Sequence, residues 1–306
     1  MMGVLLVNMG GATSEKEMKV FLSNMFRDPR ILPFRKIFRN ILSFMISNLR
    51  YKKSWKKYEL IGGTPIIQAT EKSLQSLQTE LKKDYSVKIA FSYTSPTIEE
   101  SMRSFKNEGI KAITVIPMYP HSSYSTTGSV KDEIKRIQKD DESFDIQFKK
   151  EFYQHDEFIG FWSKLIKAHI QQNGLKEPSL LFSAHSIPEY MVNKGDTYPR
   201  EIAESAALIA RNVGLDFEVA YQSGMSGKWI GPDTKNSLKV LAHASKNEIV
   251  IIPISFVNEN LETLYDIDKV IIPYALNELG IKHISRVNIP EADELFIKLL
   301  ADIVRN

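Results

Sequence analysis

The sequence predicts an α/β protein made of two Rossmann-like domains, each a parallel sheet flanked by helices. Three observations predict it. Short β-branched or apolar runs recur at residues 3–8, 87–92, 112–117, 179–183, 217–221, 248–254 and 282–287, with helical patterns such as 70–81, 98–107 and 202–213 between most of them. That alternation builds parallel sheets covered on both faces. The chain has 306 residues, enough for two domains of roughly 150 residues each. An internal echo supports two similar halves: AITVIPMYP at 112–120 resembles EIVIIPISF at 248–256, and 3–10 resembles 179–186. The boundary is expected in the polar stretch 139–155, giving an N-terminal domain 1–153 and a C-terminal domain 154–306 whose last helix packs back on the first.

The first run ends in Met9-Gly10-Gly11, which reads as a buried strand, a tight turn and a helix from about Ser14. The pair of glycines lacks the spacing of GxGxxG and any GK[ST], so it reads as a turn and not as a phosphate loop. The lip at about 31–58 carries Arg35, Lys36, Arg39, Arg50, Lys52, Lys53, Lys56 and Lys57 without a single acid, so the rest of the chain is net acidic although the total formal charge is +3. In it Phe34, Ile37, Phe38, Ile41, Leu42, Met45 and Leu49 recur at steps of three and four, the stripe of an amphipathic helix. Such a helix either packs its stripe on a core or lies on an anionic bilayer. A nucleic-acid patch would need stacking aromatics interleaved with the basic residues or a known binding motif, and the bulk of the chain is slightly acidic, so nucleic acid is not an expected partner.

Composition narrows the chemistry. With 43% hydrophobic and 25% charged residues the chain is that of an ordinary globular protein. Cys is 0, so a thiolate zinc site, a cysteine nucleophile and a cysteine-bound iron–sulfur cluster are excluded. The start lacks the features of a signal peptide and no uncharged apolar run is long enough to span a bilayer, so a cytoplasmic location is expected.

His185 follows the run 179–183, at a strand's carboxyl end, where α/β folds place ligands. The other histidines, His121, His155, His169, His243 and His283, show no HExxH or other close metal spacing, so a zinc hydrolase is not supported. Beyond the run 248–254, Glu262 and Asp266 are four apart and share a helix face. They are placed either to hand on a divalent cation and hold protons, or simply to complement a helix dipole.

Taken together, VLLVNMGG, FRDPRILP, YELIGGTPI at 58–66, PMYP at 117–120 running into YSTTGS at 124–129, LFSAHSIPEYMVNKGDTYPREI at 181–202, YQS at 221–223 with Trp229, and FVNENLETLYDID at 256–268 resemble a ferrochelatase, in family order over nearly the whole chain. The resemblance implies two Rossmann-like domains closing on a flat tetrapyrrole, and insertion of Fe2+ into protoporphyrin IX to give haem with release of two protons. It implies His185 and Glu262 as catalytic residues, His185, Glu262 and Asp266 as metal-handling residues, and Met25, Ile31, Tyr119, Tyr124, Ser125, Thr126 and Trp229 as porphyrin contacts. Fe2+ is then a substrate, no cofactor is tightly bound, and the lip offers peripheral membrane contact near a greasy substrate. The chain departs from the family in four places: Asn260 where many members have His, Val270 as the third rung of the acid ladder, Ser92-Tyr93 in place of Arg-Tyr, and a shifted segment 224–228. Insertion of iron into coproporphyrin or of cobalt into sirohydrochlorin, and a non-catalytic tetrapyrrole carrier, are the competing expectations.

Overall fold

The run Gly3-Val4-Leu5-Leu6-Val7 is apolar without alternation, the pattern of a strand buried on both faces of a parallel sheet. In the computed structural model, which describes residues 1–224 and 227–306, it forms strand β1 (Met2–Asn8), whose Val4 to Val7 are wholly buried. Ser14 then caps α1 (Glu15–Phe26) by accepting from the Glu17 amide. The elements α2 (Lys36–Glu59), α3 (Pro65–Leu81), β2 (Tyr85–Phe91), α4 (Ile98–Asn107), β3 (Ala112–Pro117), α5 (Thr127–Asp140) and β4 (Asp145–Phe148) follow. The second half runs α6 (Asp156–Gln172), β5 (Ser179–His185), α7 (Glu189–Asn193), α8 (Tyr198–Val213), β6 (Phe217–Gln222), α9 (Thr234–His243), β7 (Glu248–Ile252), a π-helix (Glu262–Ile271), α10 (Ile272–Asn277), β8 (His283–Arg286) and α11 (Glu294–Arg305).

The strands form two wholly parallel four-stranded sheets, β2-β1-β3-β4 and β6-β5-β7-β8. Both have the same winding, with the first strand of each half in the middle and the order reversing beside it. The echoing segments are equivalent strands: β1 matches β5 and β3 matches β7. Such a reversal leaves a crevice outside the strands' carboxyl ends, the usual place for a ligand in an open α/β sheet.

By their contacts the residues divide into two units. The first comprises Met1–Tyr119, Ser123–Glu151 and Glu291–Asn306; the second comprises Pro120–Ser122 and Phe152–Pro290. In the first, Leu5, Val7, Met102, Phe105, Val115 and Ile134 form the core between sheet and helices, and α11 lies on α3, where Arg305 meets Glu80 at 3.1 Å. In the second, Leu181, Ile249 and Ile251 pack with Ile267 and Ile271 of the π-helix.

Two features correct the sequence expectations, and a third bears on an alternative the sequence left open. The polar stretch 139–155 contains a strand, β4, which is short, at the sheet edge and exposed at alternate residues, so it carries no continuous apolar signal. The helix of the lip starts only at Lys36; residues 31–35 form turns before it. Its apolar stripe does not pack on the core. Helix α2 approaches α1 through Ser43 and Ser47, both buried, with the Ser43 hydroxyl donating to the carbonyl of Ser23 at 2.7 Å. Of the stripe, Phe34, Ile37, Phe38, Ile41, Met45 and Leu49 are each 51% to 79% exposed, as is Phe44, while Leu42 is half-buried.

Gly10 turns the chain after β1 at φ +83°, and a Cβ there would lie 2.2 Å from the Thr94 hydroxyl and 2.9 Å from Cβ of Phe91. Gly10→Ala is therefore expected to cost about 2 kcal/mol or more. A chemical denaturation midpoint equal to that of the wild type would contradict this.

Candidate active site

His185 is the last residue of the central strand β5, beside the winding reversal, and is paired in register with Gln222 of β6. Its amide donates to the Ser255 hydroxyl in the loop after β7 at 3.2 Å. Its Nδ1 donates to Oε2 of Glu262 at 2.8 Å. The same carboxylate oxygen accepts from the Ser223 hydroxyl at 2.9 Å and from the Gln222 amide at 3.2 Å, and Ser223 reaches on to Asp266 at 3.5 Å. Gln222 is itself oriented by the Ser183 hydroxyl, which donates to its Oε1 at 2.8 Å.

Glu262 opens the π-helix, whose hydrogen bonds run from i to i+5; this geometry is rare and frequent at functional sites. Thr263, Ile267 and Ile271 recur every four residues and are buried, while Glu262, Asp266 and Val270 each precede one of them by one residue. The buried rungs thereby anchor the helix and hold the two acids on an adjoining face. Val270 ends that face as an exposed apolar side chain. Asn260 caps the helix start: its Oδ1 accepts from the amides of Glu262 at 2.8 Å and Thr263 at 3.3 Å, and its amide donates to the Asn258 carbonyl.

The electrostatics define an ion pair. Burial opposes charge on His185, but the Glu262 carboxylate, through charge and hydrogen bond, and Asp266 beyond it outweigh that and raise the imidazole above its ordinary 6.5. Burial likewise opposes ionisation of Glu262, and His185, Ser223 and Gln222 overcome it, holding the carboxyl below its ordinary range. With Nδ1 committed to Glu262 and the side chain 41% exposed, Nε2 is the nitrogen available to a substrate. Ser255, which accepts from the His185 amide, is also bonded to the Tyr198 hydroxyl, whose pKa burial raises.

His185, Glu262 and Asp266, the residues expected to handle the metal, are linked through hydrogen bonds by way of Ser223. Among the described residues no group of three or more His, Asp and Glu is arranged to hold a metal ion. His185 Nδ1 is bonded to Glu262, and the Ser223 hydroxyl links Glu262 to Asp266. His121 is no substitute, since it is buried, stacked on Tyr153, bonded to Ser205 and pushed by burial down to about 3.

Trp229 lies within the same unit, bridged to Pro188 in the loop that follows His185, where Ser186 donates to the Ile230 carbonyl at 2.8 Å. The shifted segment 224–228 includes residues 225 and 226, which lie outside the described residues. The other expected porphyrin contacts lie in the first unit. Met25 on α1 and Ile31 in the following turn are half-buried; Arg30 covers the Tyr124 ring at 5.7 Å, and Ser125 and Thr126 precede α5. Tyr119 packs against the core with its hydroxyl bonded to Ser92. Ser255 was not singled out from the sequence, and Gln222 and Ser223 entered only as part of the YQS motif. The signal that finds them is register: in a parallel sheet with β5 central, the ends of β6 and β7 fall beside His185.

The fold is shared with SirB from Bacillus subtilis with Fe3+, which matches at a TM-score of 0.63 and 13% identity, covering 100% of this chain and 95% of that one. The cobalt complex of the sirohydrochlorin chelatase SirB from Bacillus subtilis subspecies spizizenii gives a TM-score of 0.60, also at 13% identity, covering 100% and 94%. Within that architecture the sequence is specific, because the ferrochelatase family model matches residues 1–306 and the chain belongs to the ferrochelatase family. It is 36% identical to a ferrochelatase of Aquifex aeolicus, over 99% of this chain and 98% of that protein, and 34% identical to one of Geobacter metallireducens, over 99% and 97%. The protein is accordingly a lyase of haem biosynthesis that joins a metal ion to a tetrapyrrole through nitrogen–metal bonds.

Proposed function

We propose that the protein inserts Fe2+ into protoporphyrin IX, with His185 as the acceptor of a pyrrole proton and Glu262 as its counter-charge. The observation that carries this reading is the 2.8 Å contact between His185 Nδ1 and Glu262. It fixes the tautomer, so that the neutral imidazole presents a lone pair at Nε2, and it stabilises the imidazolium that forms when the proton arrives. Metal insertion releases two protons. His185 takes one; Asp266, linked through the Ser223 hydroxyl, takes the other. Glu262 and Asp266 supply hard oxygen ligands that draw hydrated Fe2+ toward the ring, and His185 guides it in turn, in passing and not as a closed cage. A substrate metal has to leave with the product, and a weak, open set of ligands allows that.

Met25, Ile31, Tyr119, Tyr124, Ser125, Thr126 and Trp229 are the proposed porphyrin contacts, the aromatic and aliphatic ones as walls that bend the ring and expose its nitrogen lone pairs, the hydroxyls as donors to propionates. No tightly bound cofactor enters the scheme, and a chain with Cys 0 offers no thiolate to an iron–sulfur cluster. Substrate choice is tested by anaerobic turnover of protoporphyrin, coproporphyrin and sirohydrochlorin with Fe2+ and Co2+. The fastest metallation is expected for protoporphyrin with Fe2+. Turnover confined to one of the other rings overturns the substrate, and binding without metallation of any ring makes the protein a carrier.

We also propose that α2 docks peripherally on the cytoplasmic face of an anionic membrane. No helix among the described residues is long and apolar enough to cross one. An exposed apolar stripe beside eight basic residues supports surface binding, with apolar area and charge acting together. Phe38→Glu with Ile41→Glu is expected to abolish co-flotation with anionic vesicles while leaving turnover of detergent-solubilised porphyrin unchanged; flotation equal to that of the wild type would refute the docking.

A further inference from the structure

We infer that Arg286 is a positioning residue for metal insertion, holding the π-helix in the register that delivers Glu262 to His185; the inference rests on the proposed role of Glu262. Arg286 ends β8 and is almost wholly buried, its side chain 2% exposed. Its Nε and Nη2 donate to the two oxygens of Asp268, each at 2.8 Å, and its Nη1 donates to Glu259 at 2.8 Å and to the Val287 carbonyl at 3.1 Å. Glu259 lies three residues before Glu262, and Asp268 six residues after it. One rigid, planar cation thus grips the chain on both sides of the proposed counter-charge.

Glu259 is fixed from other directions as well. It accepts from the Ile289 amide at 2.8 Å and from the Thr263 hydroxyl. The residue after Glu262 is therefore tied to the same carboxylate that Arg286 holds.

The need for such a clamp follows from the helix itself. A π-helix of ten residues is unusual, because runs of i to i+5 bonds are mostly single-turn bulges within α-helices. A segment with α-helical sequence character stays in this form only where its surroundings impose it. The apolar rungs Ile267 and Ile271 hold one face, and they would tolerate small axial turns. The bidentate grip on Asp268 would not, since the fork of a guanidinium fits a carboxylate in one plane. Rewinding toward i to i+4 bonds would turn Glu262 about the axis relative to Asp268 and lengthen its 2.8 Å contact with His185. Nothing in the ion network touches His185, so its effect on catalysis has to pass through Glu262.

The test measures kcat, porphyrin KM and thermal midpoint for Arg286→Lys and Asp268→Asn, each alone and combined with Glu262→Gln. Lysine keeps the charge but cannot bridge both acids in a fixed plane; asparagine keeps the shape, and serves if Arg286→Lys fails to fold. Each single change is expected to lower kcat about ten- to a hundredfold, as losses of outer orienting groups do, with KM within about twofold. In the Glu262→Gln background neither change should lower kcat further. A merely structural network would lower the thermal midpoint and leave kcat per folded molecule near that of the wild type, which overturns the proposal. Losses that multiply fully with that of Glu262→Gln overturn it too, because Arg286 would then act by another route. If Glu262→Gln alone keeps wild-type kcat, the role of Glu262 fails first, and that is visible before any double variant is compared.

Discussion

Replacing His185 by alanine is expected to lower kcat for Fe2+ insertion by about a hundred- to ten-thousandfold, the range in which a positioned proton acceptor contributes, while the affinity for protoporphyrin changes little. The argument is differential. The imidazole contributes to the step in which the pyrrole nitrogens lose their protons, so its removal acts on the barrier and leaves the ground-state complex nearly as it was. Its position also makes the variant a fair test. The ring is at the end of β5 and partly exposed, so alanine opens no core cavity, and the amide bond to Ser255 is kept. Protoporphyrin fluorescence quenching measures binding, and the haem or zinc-porphyrin spectrum measures turnover. A variant that binds and metallates like the wild type would remove His185 from the chemistry.

Glu262→Gln is expected to cost nearly as much, about a hundredfold or more in kcat. The amide oxygen can still accept from Nδ1, so orientation is kept, but the negative charge that stabilises an imidazolium in a partly buried site is gone. Ser223 and Gln222 both donate to this carboxylate, and with an amide in its place they lose a charged acceptor. The result that speaks against this role is a loss confined to KM, which would make Glu262 a group that merely attracts the metal. A combined His185→Ala, Glu262→Gln variant should be scarcely slower than His185→Ala, because the two act as one unit.

How far the sequence discloses this arrangement differs by element. Strand β3 lies at 112–117 in the sequence reading and in the structure alike, and helix α4 at 98–107, since both have dense periodic signals and clear ends. His185 is legible because it follows an apolar run, and motif likeness singles out Glu262. The π-helix is not legible: Glu262 and Asp266 four apart suit an α-helix equally well, and what selects the wider winding is contact with residues distant in sequence. Arg286 illustrates this, being 27 residues from Glu259 and 18 from Asp268. The stripe on α2 is legible as a stripe, but not its direction. Whether it faces in or out depends on Ser43 and Ser47, small residues that let α1 approach the opposite side. Asn260 reads in the sequence as a departure from the family and in the structure as a helix cap, because capping depends on backbone geometry that spacing alone does not convey.

The measurement that tests the central claim most directly is the pH dependence of kcat/KM for metal insertion in the wild type and in Glu262→Gln. His185 accepts a proton only when neutral, and in the folded protein Glu262 outweighs burial and raises its pKa above 6.5. The wild-type rate is therefore expected to rise with pH through a limb lying above 6.5. Without the carboxylate's charge, burial favours the neutral ring, and the limb moves to lower pH. A limb that stays in place in Glu262→Gln, or that persists in His185→Ala, would show that the titrating group is not this pair and would contradict the account.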